Sequence, residues 1–203
     1  MSAARDEILG AVRRALRDAS PDYGPRPAGY LVAGRGDPVA RFAERVAEYR
    51  ASVVHTLEQD VADVLELLVT GTVAVPDGLP GKWLPPTVQR VSEPVGIEQL
   101  DRVDAVITGC ALAIAETGTI VLDGGAAQGP RALTLVPDHH VCIVRASQIV
   151  HSVPEAVRAL GPAVRERRAP VTFISGPSAT SDIELERVEG VHGPRRLDVV
   201  VAE

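Results

Sequence analysis

The feature that most constrains this chain is a series of short apolar runs set between helical stripes. Thr72-Val73-Ala74-Val75, Ala105-Val106-Ile107, Ala111 to Ala115, Val141-Cys142-Ile143-Val144 and Leu197-Asp198-Val199-Val200-Val201 are apolar nearly throughout. They do not alternate polar with apolar residues, so they read as strands covered on both faces, the pattern of a largely parallel sheet. Ser52-Val53-Val54-His55, Thr87 to Val91 and Val171 to Ile174 add further strand candidates. Between the strands, Val39, Phe42, Val46 and Tyr49 fall at helical spacing within 38–50, and Val61, Val64, Leu65 and Leu68 within 58–69. A third helix is predicted from Val153 to Leu160, ended by Gly161-Pro162. Aromatic residues make up only 3% of the chain, so the core must be aliphatic. The class predicted is a layered α/β domain.

At 203 residues the chain suits one domain with an appendage. Residues 3–18 read as an amphipathic helix carrying Ile8, Leu9, Val12 and Leu16 on one stripe, and a Pro- and Gly-rich stretch from Ser20 to Asp37 follows. The expected division is therefore an N-terminal helical arm and linker, 1–37, and a main domain, 38–203. The N-terminus carries no signal-peptide core, and the run from Ala105 to Ala115 is too short to span a bilayer. A cytoplasmic protein without a membrane span is expected. Net charge is −6, with no basic stripe and few aromatics for base stacking, which argues against nucleic acid as a partner. The two cysteines, Cys110 and Cys142, form no C-x-x-C pair, so no iron–sulfur cluster, structural zinc or other metal is expected on this chain alone.

Candidate chemistry centres on Glu116-Thr117-Gly118-Thr119 and the glycine-rich stretch after it. The apolar run ending at Ala115 meets a lone carboxylate at a Thr-Gly turn. A buried Glu116 would have its pKa raised by desolvation and could serve as base or nucleophile, or it could brace its own hairpin through backbone N–H groups. Gly124, Gly125, Gln128, Gly129 and Arg131 read as an anion cradle closed by an arginine fork, or as a plain loop. Ser175-Gly176-Pro177-Ser178, followed by Ser181-Asp182, places hydroxyls and a carboxylate after a strand, to bind an anion or to cap a helix. His139 and His140 are adjacent, so on a strand they face opposite sides and cannot share a metal. His140 is retained as a ligand-binding candidate. Gly34-Arg35-Gly36 has no strand before it and no third glycine, so no dinucleotide fingerprint is present.

Ala115-Glu116-Thr117-Gly118-Thr119, Pro137-Asp138-His139-His140, Ser175-Gly176-Pro177-Ser178 with Ser181-Asp182-Ile183-Glu184, and His192-Gly193-Pro194-Arg195 occur in that order. Together they resemble the LUD (lactate-utilisation) domain family, in its LutC/YkgG group, over roughly residues 38–203. The resemblance implies a NagB/RpiA/CoA-transferase-like α/β fold. It further implies a component of an L-lactate oxidation system, working beside iron–sulfur LutA-like and LutB-like partner proteins, with the clusters on those partners and no cofactor on this chain. A small organic acid or other anion is the ligand expected for Thr117, Gly118, Thr119, the glycine-rich stretch, Arg131, His140, Ser175, Gly176, Ser178 and Asp182. Two other readings stand beside it: a stand-alone CoA-transferase or isomerase using Glu116, and a regulatory module that senses a small acid or phosphate.

Overall fold

A computed structural model describes residues 3–19, 24, 36–180, 188–189 and 192–203. The chain divides into two units, Met1–Leu31 and Val32–Glu203. In the first, helix α1 spans Ala3–Ala15, with Asp6 in its first turn and Arg13 and Arg14 in its last, charges that complement the helix dipole.

The second unit opens with α2 (Pro38–Glu48). Asp37 caps it by accepting the Val39 N–H at 2.9 Å, and Pro38 occupies the first turn, where its missing N–H costs nothing. Strand β1 (Ser52–Thr56) leads through one 3-10 turn into α3 (Val61–Leu68), then β2 (Thr72–Val75), β3 (Gln89–Ser92), a single-turn α4 (Ile97–Leu100) and β4 (Ala105–Thr108). A hairpin of β5 (Leu112–Ile114) and β6 (Thr119–Leu122) follows, then β7 (His139–Arg145), β8 (Ile149–Val150), α5 (Val153–Arg167) and β9 (Thr172–Ile174). A two-residue ribbon, β10 (Ala179–Thr180) with β11 (Val188–Glu189), precedes the last strand, β12 (Arg196–Ala202).

Six strands form a sheet in the order β1-β12-β7-β4-β2-β3, every pair parallel. Four of the five apolar runs are strands of this sheet (β2, β4, β7 and β12), buried on both faces as their lack of alternation requires, and the fifth, Ala111 to Ala115, forms β5 of a second sheet. On one face, Val141, Ile143 and Val200 pack against Val61 and Leu65 of α3 and against Trp83. On the other, Cys142, Val144, Val199 and Val201 meet Phe42 and Val46 of α2 together with Ala113, Ala115, Ile120 and Leu122 of the hairpin. That hairpin belongs to the second sheet, β8-β5-β6-β9, whose outer face takes Ala156 and Leu160 of α5. The expected α/β class with a largely parallel sheet is therefore what the chain adopts.

One predicted boundary is corrected. Gly161-Pro162 does not stop α5, which continues to Arg167 and ends where Arg168 turns left-handed at φ 50° with its N–H on the Val164 carbonyl. An interior proline removes one helical hydrogen bond and costs about 3 kcal/mol. Packing of Ala156 and Leu160 before it, and the ion pair of Arg167 with Asp123 after it, hold the helix through the defect.

Candidate functional site

A parallel sheet has chemically distinct edges, and five of the predicted site residues converge near the amino edge. His139 and His140 open β7 beside Arg196 and Leu197 of β12. Adjacent strand residues face opposite ways, so the two histidines part. His139 Nε2 lies 2.7 Å from Asp198 Oδ2, and the buried Asp198 also accepts Ser52 Oγ and Arg196 Nη2, the latter at 2.8 Å. Burial alone would raise the Asp198 pKa. The hydrogen bonds from His139 and Ser52, with the charges of His139 and Arg196, outweigh it and hold the carboxyl below its ordinary value. This cluster ties β1, β7 and β12 together.

His140 turns to the other face, fully buried, with Nε2 2.8 Å from Thr108 Oγ1. Burial, then the Arg131 charge and then His139 lower its pKa to about 3, so the ring stays neutral at neutral pH. It lines a cavity of about 230 Å³ together with Arg131, Thr134, Ser175, Ser178 and His192. No acidic side chain lines this cavity among the described residues. Arg131 Nη1 donates to Thr134 Oγ1 at 2.9 Å and to the Thr134 carbonyl at 3.2 Å, which steers the guanidinium without neutralising it. Partial burial lowers the Arg131 pKa from its ordinary value, yet an arginine remains a cation under any such shift. The cavity therefore offers a fixed positive charge, serine hydroxyls and a neutral imidazole.

Its walls come from distant parts of the chain, each pinned locally. Ser175 Oγ shares a hydrogen bond of 2.8 Å with Thr119 Oγ1, which shares another of 2.7 Å with Thr117 Oγ1. Ser178 N–H donates to the Pro194 carbonyl at 2.8 Å, and its Oγ accepts the His192 N–H at 3.0 Å, closing the loop. Two glycines are required by close approach. At Gly118 (φ +60°) a Cβ would lie 2.7 Å from the Arg45 carbonyl carbon, and at Gly176 (φ +86°) 2.6 Å from Tyr49 Cβ. The Thr-Gly-Thr turn and the Ser-Gly-Pro-Ser loop can both seat against the end of α2 only because these positions lack side chains.

The structure thus brings Arg131, His140, Ser175, Gly176 and Ser178 to one cavity, with Thr117 and Thr119 bonded behind Ser175. It separates the rest. Glu116, expected to be buried, is exposed in the β5–β6 turn, where its N–H donates to the His151 carbonyl at 3.1 Å. The apolar run stops at Ala115, and the turn places the next residue in solvent. The glycine-rich stretch is also not an open cradle. Asp123 Oδ1 accepts the Gly125 N–H at 3.0 Å and Gln128 Nε2 at 2.9 Å, Gln128 Oε1 accepts the Asp123 N–H at 2.7 Å, and Arg167 pairs with Asp123 Oδ2. An internal carboxylate occupies the donors that an external anion would need. Gly125 and Gln128 line a separate cleft of about 500 Å³ against α5. Gly129 (φ +67°) packs on Leu133, 2.7 Å from where its Cβ would stand, and Gly124 (φ +65°) is an exposed turn residue. Asp182 lies outside the described residues.

Sequence reasoning missed Thr134 and His192 as cavity residues, and Asp123, Asp198 and Arg167 as partners. Asp198 had a readable signal, a lone charge inside an apolar strand. Among the described residues no group of three or more His, Cys, Asp or Glu side chains could hold a metal. Both cysteines are free and buried, and contact with Cys142 together with burial raises the Cys110 thiol well above its ordinary value. No described helix is long and apolar enough to cross a membrane.

Comparison with known proteins places this architecture. The LUD domain model matches residues 44–202. Lactate utilization protein C of Deinococcus radiodurans is 45% identical over 202 residues, covering 98% of this chain and 95% of that protein. Lactate utilization protein C of Shouchella clausii is 36% identical over 109 residues, 53% of this chain and 47% of that protein, so this second match spans about half of each. A crystal structure of a DUF162 family protein from Deinococcus radiodurans superposes with a TM-score of 0.72 at 40% identity, covering 82% of this chain and 96% of that one. A domain match over most of the chain and a relative at 45% identity over nearly its full length have one consequence: the chain belongs to the LUD-domain family.

Proposed function

We propose that this chain is the cluster-free, LutC-like component of a lactate-utilisation system, and that its amino-edge cavity binds a small carboxylate such as L-lactate or pyruvate. The role in lactate utilisation is supported by the relatives named lactate utilization protein C. The carboxylate is supported by one observation above all: the Arg131 guanidinium lines a cavity that contains no acid among the described residues. A carboxylate matches the arginine fork, and the Ser175 and Ser178 hydroxyls and neutral His140 suit the oxygen on the adjacent carbon. Oxidation of L-lactate needs an electron acceptor, and we assign that step to iron–sulfur LutA-like and LutB-like partners, with this chain binding or presenting substrate or product. Iron–sulfur clusters belong, in this reading, to the partners.

The stand-alone transferase reading loses its support, because it needs a desolvated Glu116 and that residue is exposed. The test is a thermal-shift screen of the purified chain against L-lactate, pyruvate, inorganic phosphate, CoA esters and nucleotides. Ligand at a hundred times its dissociation constant stabilises by about 2.7 kcal/mol, a readily visible shift. We expect stabilisation by L-lactate or pyruvate that is strongly reduced in Arg131→Ala. A shift confined to CoA esters or nucleotides would replace this reading with another.

A further inference from the structure

The opposite edge of the six-stranded sheet carries a second crevice, and its construction is of a different kind. From β2 the chain moves outward to β3, whereas from β4 it moves the other way to β7. The β2–β3 connection holds Trp83 and Leu84 on the α3 side of the sheet, while the β4–β7 connection carries the β5–β6 hairpin on the other. Where neighbouring parallel strands send their connections apart in this way, a crevice opens outside their carboxyl ends, and ligands of open α/β sheets bind there.

A cavity of about 170 Å³ occupies that position, lined by Gly78 after β2, Gly109 and Cys110 after β4, Arg145 at the end of β7, and Trp83 and Ala127. Its roof is held under strain. Ala127 adopts φ +64°, a left-handed conformation that is unfavourable for a residue with a side chain. Two hydrogen bonds keep it there: Ala127 N–H to the Asp77 carbonyl at 2.8 Å, and Gly109 N–H to the Ala127 carbonyl at 2.7 Å. These bonds staple the roof to the carboxyl ends of both diverging strands.

The chemistry of the walls is cationic and under-satisfied. Trp83 is 2% exposed, and its Nε1–H has no hydrogen-bond partner among the described residues. A buried indole N–H ordinarily finds an acceptor. The Arg145 guanidinium stands 4.6 Å from the centre of the Trp83 ring. Its nearest carboxylate oxygen, Glu58 Oε1, is 3.8 Å away and is shared with Lys82 Nζ at 3.2 Å. One carboxylate thus serves two cations, and no acid lines the crevice among the described residues.

We propose that this carboxyl-edge crevice is a second anion-binding site, taking a small oxyanion (a carboxylate or a phosphate group) on Arg145 where its guanidinium lies over the Trp83 ring, independently of the Arg131 cavity. An oxyanion supplies the full negative charge that Arg145 otherwise shares with Lys82 through Glu58. The strained Ala127 roof is then a preformed part of the site.

Trp83 is the sole tryptophan of the chain, so intrinsic emission reports on this crevice. The experiment is titration of the intact protein with pyruvate and, separately, with inorganic phosphate, following that emission. The expected result is a saturable change with one of the two anions, at least tenfold weaker in Arg145→Met and preserved in Arg131→Ala. The responding anion identifies the headgroup as carboxylate or phosphate. Emission indifferent to both anions, a change that survives Arg145→Met, or a change lost in Arg131→Ala would each overturn the proposal. If Arg145→Met does not fold, Arg145→Gln replaces it in the same titration, with several-fold weaker binding expected and unaltered affinity counting against the site. Preservation in Arg131→Ala separates this result from the fate of the amino-edge reading.

Discussion

The two edges of the six-stranded sheet solve the problem of placing a cation beside a buried core in opposite ways. At the amino edge, Arg131 is steered by Thr134 and surrounded by hydroxyls and a neutral imidazole, with its neighbours bonded into their own loops. At the carboxyl edge, Arg145 lies on the Trp83 ring, Ala127 is held at positive φ, and the buried indole N–H has no partner among the described residues. The first edge presents an arginine that no acid in its cavity neutralises, and the second an arginine that shares one carboxylate with Lys82 beneath a residue held at positive φ. Assembled loops make the first site dependent on how they seat against α2, whereas the second depends on a single stapled residue.

The largest effect expected from breaking the amino edge is structural. In Gly118→Val the new side chain meets the Arg45 and Val46 backbone at 2.7–2.8 Å in a left-handed conformation. We expect a loss of about 4 kcal/mol in urea unfolding, because neither backbone strain nor overlap can relax cheaply. The matched change on the open turn, Gly124→Ala, has strain but no neighbour within 4 Å and should cost only about 1 kcal/mol.

The next effect is acid sensitivity, which belongs to the amino edge alone. His140 has its pKa lowered from 6.5 to about 3, so below pH 6.5 the unfolded chain takes up a proton that the folded chain refuses. Stability therefore falls as the pH drops below 6.5, by about 1.4 kcal/mol per unit, or roughly 3 kcal/mol by about pH 4.5. His140→Gln should flatten that slope in unfolding curves measured between pH 7 and about 4.5. Asp198, whose pKa is held low, contributes stability that is present above its ordinary value of 3.8 and lost only further into acid, so the two windows separate.

Smaller changes test the loop between the edges. Arg167 is about half exposed where it pairs with Asp123, and Arg167→Ala should lower stability by only about 1 kcal/mol in thermal unfolding. The smallest effect is expected at the residue that stood out most in the sequence. Glu116→Gln should leave stability within about 0.5 kcal/mol and leave carboxylate affinity unchanged by calorimetry, because an exposed side chain outside the cavity does neither job.

The strands were legible because burial on both faces leaves a mark that needs no tertiary knowledge: Thr72–Val75 and Val141–Val144 are apolar without alternation. The family was legible because its motifs stand in order along the chain. Within the site, Arg131, His140, Ser175, Gly176 and Ser178 could be singled out by residue type, but their convergence depends on loops meeting across two sheets. Glu116 was misplaced for a local reason, since an apolar run predicts burial of its own residues and says nothing about which way the next turn aims. The glycine-rich stretch misled differently. Its backbone donors were real, but the acceptor lay one residue upstream, in Asp123, and a sequence pattern does not show which carboxylate arrives first. Trp83 and Arg145 carried no signal, because neither lies in a motif and their contact joins the β2–β3 connection to the end of β7, far apart in sequence.

The most direct test of the central claim is calorimetric titration of L-lactate and pyruvate into the wild-type chain, Arg131→Ala and Arg145→Met. The account predicts a carboxylate binding event that Arg131→Ala weakens at least a hundredfold, about 2.7 kcal/mol or more, and that Arg145→Met leaves in place; binding at the carboxyl-edge crevice shows the opposite dependence on the two variants. Carboxylate binding unaffected by Arg131→Ala, or no binding of either acid to the wild-type chain, would contradict it.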